Sequence, residues 1–357
     1  MRVKTHYLEE GCILSKDVIG MTKRPIITKK TIITNEMLEV LQAFLVTDVS
    51  VEKTLIDGSW FSPKEIIDEE SEEEGSDSTF LTQYLKAVQA YKKLFKNWQA
   101  GSIADVAKVR SIIIPLFEKF LENPQELVSL HHYCSKEDYL YHHAISMGII
   151  CGFIAKKMNY ELADIMQITM GGCLADCGMA KIPPKILDKK TSLTSEEYEE
   201  IRKHPIYSLR MLQNTPILKE TVKYAIVQHH ERLDGSGYPA GRNGKEPHSF
   251  SRIVAVADVY HAMTSERIYR NKQSPFKVME MILQDDFGKF DITVVKTLLE
   301  CVTTYTIGSR VRLSNGYTAE IIFIDAHSQT RPLVKAADSG EIINLGKTRE
   351  LFIEEIL

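Results

Sequence analysis

The sequence predicts a mainly α-helical protein with a small α+β unit ahead of the helices and a small β appendage behind them. Three observations carry this expectation. From about residue 80 to 304, apolar residues recur at helical spacing, interrupted only by short Pro and Gly breaks. Before residue 58, short β-rich runs flank one amphipathic stretch. After Ile307 the texture changes to brief apolar runs separated by Asn315-Gly316 and Ser339-Gly340, and Asn-Gly is a strong hairpin signal.

At 357 residues the chain is long for one domain, and two or three are expected. Residues 1–58 read as the α+β unit. Within it Pro25-Ile-Ile and Thr31-Ile-Ile-Thr form β-rich segments split by Lys29-Lys30. Asn35 is placed to cap a helix with Met37, Leu38, Leu41 and Phe44 on one face, and Val46 to Val51 alternates as a strand does. Residues 59–79 form an acidic linker whose run DEESEEEGSD, from Asp68 to Asp77, repels itself and cannot bury a core. Residues 80–136 form a helical connector with two stripes. One is Phe80, Tyr84, Val88, Tyr91, Phe95 and Trp98; the other runs from Ile103 through Val106, Val109 or Arg110, Ile113 and Phe117 to Phe120, with a kink expected at Pro115. Both stripes suit a core, and a helical dimer seam is the alternative. Residues 137–304 are the main helical domain, in which Thr194 and Glu197 fit a capping box. Residues 305–357 read as β, with runs at Val311, Glu320, Pro332 and Ile342.

Composition narrows the function. Hydrophobic content of 44% and charged content of 26% suit a soluble globular protein. A net charge of −4 argues against general nucleic-acid binding but leaves room for a small basic pocket. No apolar run is long enough to span a membrane, and the first ten residues lack the apolar core of a signal peptide. Six scattered cysteines without a CxxC pair fit reduced thiols in a cytoplasm.

The richest stretch is His229-His230-Glu231-Arg232-Leu233-Asp234-Gly235-Ser236-Gly237-Tyr238-Pro239. Adjacent imidazoles on a regular helix diverge by about 100°. Such a pair serves one metal only where a helix ends, and the Gly and Pro that follow supply that setting. The apolar run Val222 to Val227 reads as the helix delivering the pair. His143, Asp176, His204 and Asp258 lie in other helices or at helix ends. A bundle builds metal sites in this way. Histidine with carboxylate suits Fe, Mn or Zn, and two ions would polarise a phosphodiester.

These segments resemble the HD-GYP family, metal-dependent phosphodiesterases that open cyclic di-GMP. The paired His leads into the GYP loop, His143 follows Asp138-Tyr-Leu-Tyr-His, His204 precedes Pro205, and Asp258 sits in Ala257-Asp258-Val259-Tyr260. The resemblance covers residues 137 to 300 and implies an HD-type helical bundle. The unit at 1–58 is similar to the small domain that often precedes such modules. The resemblance also implies one or two divalent ions, with Fe or Mn favoured and Zn the alternative. His143, Asp176 and Asp258 would hold the first; Asp176, His204, His229 and His230 would hold the second. Asp176 would be the central catalytic residue.

The likeness fails at one segment. Where the family has H-D-x-G-K, this chain reads Ala175-Asp176-Cys177-Gly178-Met179. The first set loses an imidazole, and the Lys that would face phosphate is Met179. Losing one such donor commonly costs about 10²–10³ in rate. Tyr139 stands where three-metal relatives place a Glu, so at most two ions are expected. His261, one turn past Asp258, reads as a partly exposed helix histidine, with a compensating ligand for the first set the sharper alternative. Cys173 reads as a buried packing thiol, with metal ligation the alternative, and Lys181 is a remote candidate for phosphate.

For recognition, the resemblance assigns Arg267 and Arg270 to the dinucleotide phosphates, and Tyr238 to guanine or to a partner protein at the GYP loop. The expected protein is a cytoplasmic homodimer that binds metal and cyclic di-GMP with impaired hydrolysis, as receptor or scaffold. An active phosphodiesterase yielding pGpG or GMP is the alternative, and a protein-interaction module without nucleotide is the third class.

Overall fold

The computed structural model describes residues 1–19, 25–68, 79–189, 191–241, 244, 246–266, 272–284, 288–326 and 328–357. Most of the run at 68–77, together with Arg267 and Arg270, lies outside the described residues.

The N-terminal unit pairs β1 (Arg2–Lys4) antiparallel with β4 (Asp48–Ser50) on one side and β5 (Ile66–Asp68) on the other. A second small ladder joins β2 (Val18–Ile19) and β3 (Pro25–Ile27). One helix, α1 (Asn35–Ala43), closes the unit over Leu41. Its cap is Thr34, whose hydroxyl accepts from the Met37 amide, so the capping role expected of Asn35 falls one residue earlier. Val3, Leu14, Leu41, Val49 and Val51 form a separate small core there.

The helical body begins with α2 (Phe80–Gln99) and α3 (Val106–Glu122). All six stripe residues of α2 are buried within this chain, so that face is core and not a seam for a second copy. On α3 the stripe uses Val109, and Ile103, outside the helix, is 90% exposed. The helix continues through Pro115. After a 3-10 segment, Pro124–Tyr133, comes α4 (Tyr139–Lys157), buried continuously from His142 to Ala155. Such all-round burial marks the central helix of a bundle. It packs along α5 (Leu162–Leu174). Short helices α6 (Pro184–Leu187) and α7 (Ser195–Ile201) follow, the latter opened by the expected capping box. Then come α8 (His204–Leu212), α9 (Glu220–Gln228), α10 (Ser249–Thr264), α11 (Pro275–Gln284) and α12 (Ile292–Val302). No described helix is long and apolar enough to cross a membrane.

The C-terminal part is a five-stranded antiparallel sheet in the order β10-β6-β7-β8-β9, built from β6 (Arg310–Leu313), β7 (Thr318–Phe323), β8 (Leu333–Ala336), β9 (Ile342–Asn344) and β10 (Ile353–Ile356). Its Val311, Leu313, Ile321 and Val334 join the helical core directly. Arg331 fastens the junction. Its guanidinium meets Glu280 of α11 at 2.6 Å, and both side chains are nearly buried. It also donates to the carbonyls of Leu345 and Leu351.

Candidate metal centre

Five helices aim side chains at one point. His143 projects from the second turn of α4. The chain leaves α5 through Ala175, and Asp176 caps a short 3-10 helix, Cys177–Lys181. His204 opens α8, His229 closes α9 as its C-cap, and Asp258 lies within α10. Because α9 ends at His229, the neighbouring imidazoles turn together instead of diverging, with ring centres 4.0 Å apart.

Asp176 is the hub. Its Oδ1 lies 3.0 Å from His204 Nε2 and 3.3 Å from His229 Nε2, while Oδ2 lies 3.4 Å from His143 Nε2. Asp258 spans the other side, with Oδ1 3.3 Å from His143 Nε2 and Oδ2 3.2 Å from His230 Nδ1. Ligand atoms of Asp176, His204, His229 and His230 all fall within 4.8 Å of one another. One carboxylate and three imidazoles fit a transition-metal dication.

The outer nitrogens fix the tautomers. His204 Nδ1 donates to the Ile201 carbonyl and His229 Nδ1 to the Ile226 carbonyl, each at 2.7 Å. Both Nε2 atoms therefore point inward, 3.2 Å from each other. Two such nitrogens need a shared proton or a cation between them, and backbone-anchored imidazoles are the usual support of metal ligands. Burial raises the Asp176 carboxyl, but hydrogen bonds from His143, His204 and His229 outweigh it and hold the group well below the carboxylate range. Burial likewise opposes ionisation of Asp258, and the charge of His230 with the His143 hydrogen bond reverses the balance. His143 and His229 are pushed down by burial, yet their carboxylate partners leave both raised. Burial and the neighbouring His229 push His230 down to about 4. A metal held here would have to displace protons from the raised pair, which would couple its binding to pH.

Residues outside the candidate ligand set hold this arrangement, and Ser208 among them was not singled out in the sequence. The buried Ser208 hydroxyl, one turn after His204, accepts from the Gly178 amide and donates to the Ala175 carbonyl, each at 2.7 Å. It ties the Asp176 turn to α8. At Gly178 a Cβ would sit 2.2 Å from the His204 carbonyl oxygen, so only glycine fits. The spacing from His204 to Ser208, one helical turn, was the available signal. The buried Glu231 accepts from the Ala240 and Gly241 amides at 2.6 and 3.0 Å, clamping the following loop. At Gly237 a Cβ would meet the His230 carbonyl oxygen at 2.4 Å, so the loop folds back closely enough for Tyr238 to stack on His230, centres 4.7 Å apart.

Several candidates take other places. His261 sets its Nδ1 2.9 Å from His143 Nδ1, the nitrogen facing away from both carboxylates, and its ring also meets Ser265. It backs His143 on the side away from Asp176 and Asp258, and it is fully buried where the sequence suggested partial exposure. Tyr139 stacks on His143 and brings its hydroxyl 3.2 Å from the same Nδ1. Cys173 is a fully buried packing thiol, raised well above its ordinary range by burial. Lys181 donates to the Trp98 carbonyl at 2.7 Å, at the end of α2, which corrects its phosphate role. Ala175 is buried, and Met179 packs against the helical core.

Residues 125–294 match the HD domain family. A cyclic di-GMP phosphodiesterase of Pseudomonas aeruginosa is 27% identical over 284 residues, covering 77% of this chain and 68% of that protein. One from Borreliella burgdorferi is 28% identical over 207 residues (57% of this chain, 53% of the relative). One from Thermotoga maritima is 34% identical over 195 residues (54% and 49%). The chain thus spans about two thirds of the first and half of the others. Among solved structures, an HDG"Y"P protein from Bdellovibrio bacteriovorus aligns with 84% of this chain and 97% of its own at 14% identity, TM-score 0.49.

Proposed function

The chain belongs to the HD-GYP family, and we propose that it binds a divalent metal and cyclic di-GMP at the cluster around Asp176, as a signalling protein whose hydrolysis is weakened at Ala175 and Met179. The observation that carries the reading is the inward pointing of the His204 and His229 Nε2 atoms onto Asp176 Oδ1. The activity for which the relatives are named, cyclic di-GMP phosphodiesterase, supplies the substrate class.

Asp176, His204, His229 and His230 would hold one ion, with Fe or Mn preferred and Zn the alternative. A bound dication would polarise a phosphodiester and ease deprotonation of water. The chain's own part is orientation and charge. Asp176 keeps its charge and spans both histidine groups; Tyr238, stacked on His230, faces the ligand side. Arg267 and Arg270 remain the proposed phosphate contacts. At position 179 the thioether offers no cation to a developing phosphate charge, which is the physical ground for slow turnover.

A second reading, a working phosphodiesterase, is favoured by one observation. His143, Asp176 and Asp258 still converge, at 3.3 to 3.4 Å, without an imidazole at 175. Three protein ligands suffice for many catalytic sites.

Product analysis of cyclic di-GMP incubated anaerobically with the Mn- or Fe-loaded protein separates the two. Linear pGpG or GMP that disappears in Asp176→Ala supports the working enzyme. Binding without product supports the first reading, and Ala175→His with Met179→Lys is then expected to restore turnover. No gain in that double variant would refute the assigned cause.

A further inference from the structure

Three helices of this protein end in the same way. In each, the residue after the cap turns into the left-handed region, and two amides return to carbonyls of the last turn. At the end of α2 that residue is Gly101, at φ 99°, with the Gly101 and Ser102 amides donating to Trp98 and Asn97. At the end of α4 it is Asn159, at φ 58°, with the Asn159 and Tyr160 amides donating to Lys156 and Ala155. Glycine and asparagine are the residues that this conformation favours. At the end of α1 it is Leu45, at φ 53°, with the Leu45 and Val46 amides donating to Gln42 and Leu41. A leucine there is strained, because its Cβ crowds the following carbonyl.

Packing of the side chain would offset that strain, but Leu45 is 86% exposed. Phe44 beside it is 62% exposed, although its spacing groups it with Met37, Leu38 and the buried Leu41. Val40, one turn before Phe44, is exposed as well. The end of α1 therefore carries three apolar side chains that serve neither the backbone nor the core. Strain of this kind, held at an exposed position, points to a contact outside the chain. The same face carries charge of one sign. Glu36 stands one turn before Val40 on its ridge, and Glu39 lies next to it; both are exposed. Among the described residues neither has a hydrogen-bond or ion-pair partner, and α1 contains no Lys or Arg.

We propose that the end of α1 is a docking surface for a basic amphipathic helix of a partner protein. The partner's apolar face covers Val40, Phe44 and Leu45, and its Lys or Arg side chains meet Glu36 and Glu39. A second copy of this chain would set the same carboxylates against each other across a two-fold contact, and an anionic bilayer would repel them. The patch is small, so the association is a transient one.

The test is fluorescence titration of a labelled amphipathic helical peptide of leucine and lysine with the full-length protein at physiological salt, with a melting curve for each variant. Wild type is expected to bind this peptide and not its counterpart with glutamate for lysine. Leu45→Gly and Phe44→Gln should each weaken binding at least about ten-fold, as loss of an apolar anchor does. Leu45→Met, which keeps the apolar bulk, should bind within two-fold of wild type. Leu45→Gly should also melt at or above the wild-type temperature, because it relieves the strain. A lower melting temperature would show that Leu45 serves the fold and would overturn the proposal. So would lysine-peptide binding that survives in both weakened variants, equal binding of the two peptides, or no binding of either. Sedimentation showing a dimer that Leu45→Gly abolishes would give the face to a second copy instead. Binding to anionic vesicles lost in that variant would give it to a lipid surface, and either result overturns the assigned partner.

Discussion

Gly178→Ala should disable the metal cluster without touching a ligand. The added Cβ would lie 2.2 Å from the His204 carbonyl oxygen, 2.4 Å from the Ser208 amide and 2.7 Å from the Ser208 hydroxyl. Ordinary contact begins at 3.4 Å, so the Asp176 turn and the start of α8 must separate by about 1.2 Å. The nearest atoms are backbone and cannot swing aside. Overpacking of this kind costs about 1–3 kcal/mol in stability. The larger effect falls on geometry. His204 Nε2 now sits 3.0 Å from Asp176 Oδ1, and these residues lie on the two segments forced apart. Metal sites tolerate ligand displacements of only about 0.2 Å. Loss of supporting partners alone typically weakens metal binding about 10–100-fold. Titration of Mn²⁺ into metal-free protein, with melting curves in parallel, should show affinity down by at least about ten-fold and a smaller metal-induced gain in Tm. Ser208→Ala, which removes the tie but adds no bulk, should give the same sign with a milder loss. Wild-type affinity and stoichiometry in Gly178→Ala would refute the claim that this close approach sets the ligand geometry.

Arg331→Met should lower stability by about 1–3 kcal/mol, because it leaves the buried Glu280 with only the more distant Lys277, 3.6 Å away, and the double variant with Glu280→Met should recover most of that loss in chemical denaturation; a single-variant loss below about 1 kcal/mol would contradict the junction's role. Burial pushes His142 down to about 4, below its unfolded value near 6.5. Between those values the unfolded chain binds a proton that the folded chain does not, so this group's contribution is full above the window and falls away as pH drops through it, by roughly 3 kcal/mol. The stability difference between wild type and His142→Gln should therefore shift by that amount from pH 7 to 4, and a constant difference would count against it. Glu231→Gln should loosen the loop at Ala240 and Gly241, because an amide can accept from only one side; hydrogen exchange at those amides should rise severalfold while the helical core keeps its protection.

Much of this was legible in the sequence because it rests on local chemistry. The paired imidazoles had to sit at a helix end, and His229 is the C-cap of α9. Thr194 and Glu197 close a capping box within one turn, and the Asn315-Gly316 hairpin joins β6 to β7. Features made by tertiary contact were hidden. The last strand, β10, carries Glu354 and Glu355 side by side and shows no alternation; it exists because β6 offers it a partner through a register shift. The guanidinium–aromatic pairs Arg202–Tyr238 and Arg232–Phe290 join residues distant in sequence, so no window of the chain displays them. The burial of His261 was hidden for a related reason. Sharing a helix face with Asp258 suggested a common target, but its ring meets the outer nitrogen of His143, and face-sharing does not say which side of a neighbour a ring will meet.

The split of Asp176 between its two oxygens explains how the chain can lack an imidazole at 175 and keep a centre worth preserving. Oδ1 serves His204 and His229, and Oδ2 serves His143. The four-residue set takes nothing from the side chain at 175; it takes only the backbone carbonyl there, held by Ser208. A change at 175 therefore falls on the His143 side alone, where Asp258 still supplies a second carboxylate and His261 with Tyr139 support the ring from behind. Ser208 and Gly178 act on the other side, because they fix the distance between Asp176 and α8. The two halves meet in one carboxylate, yet their supports are distinct, so substitutions at 175 and 178 should weaken different ligands of the same hub.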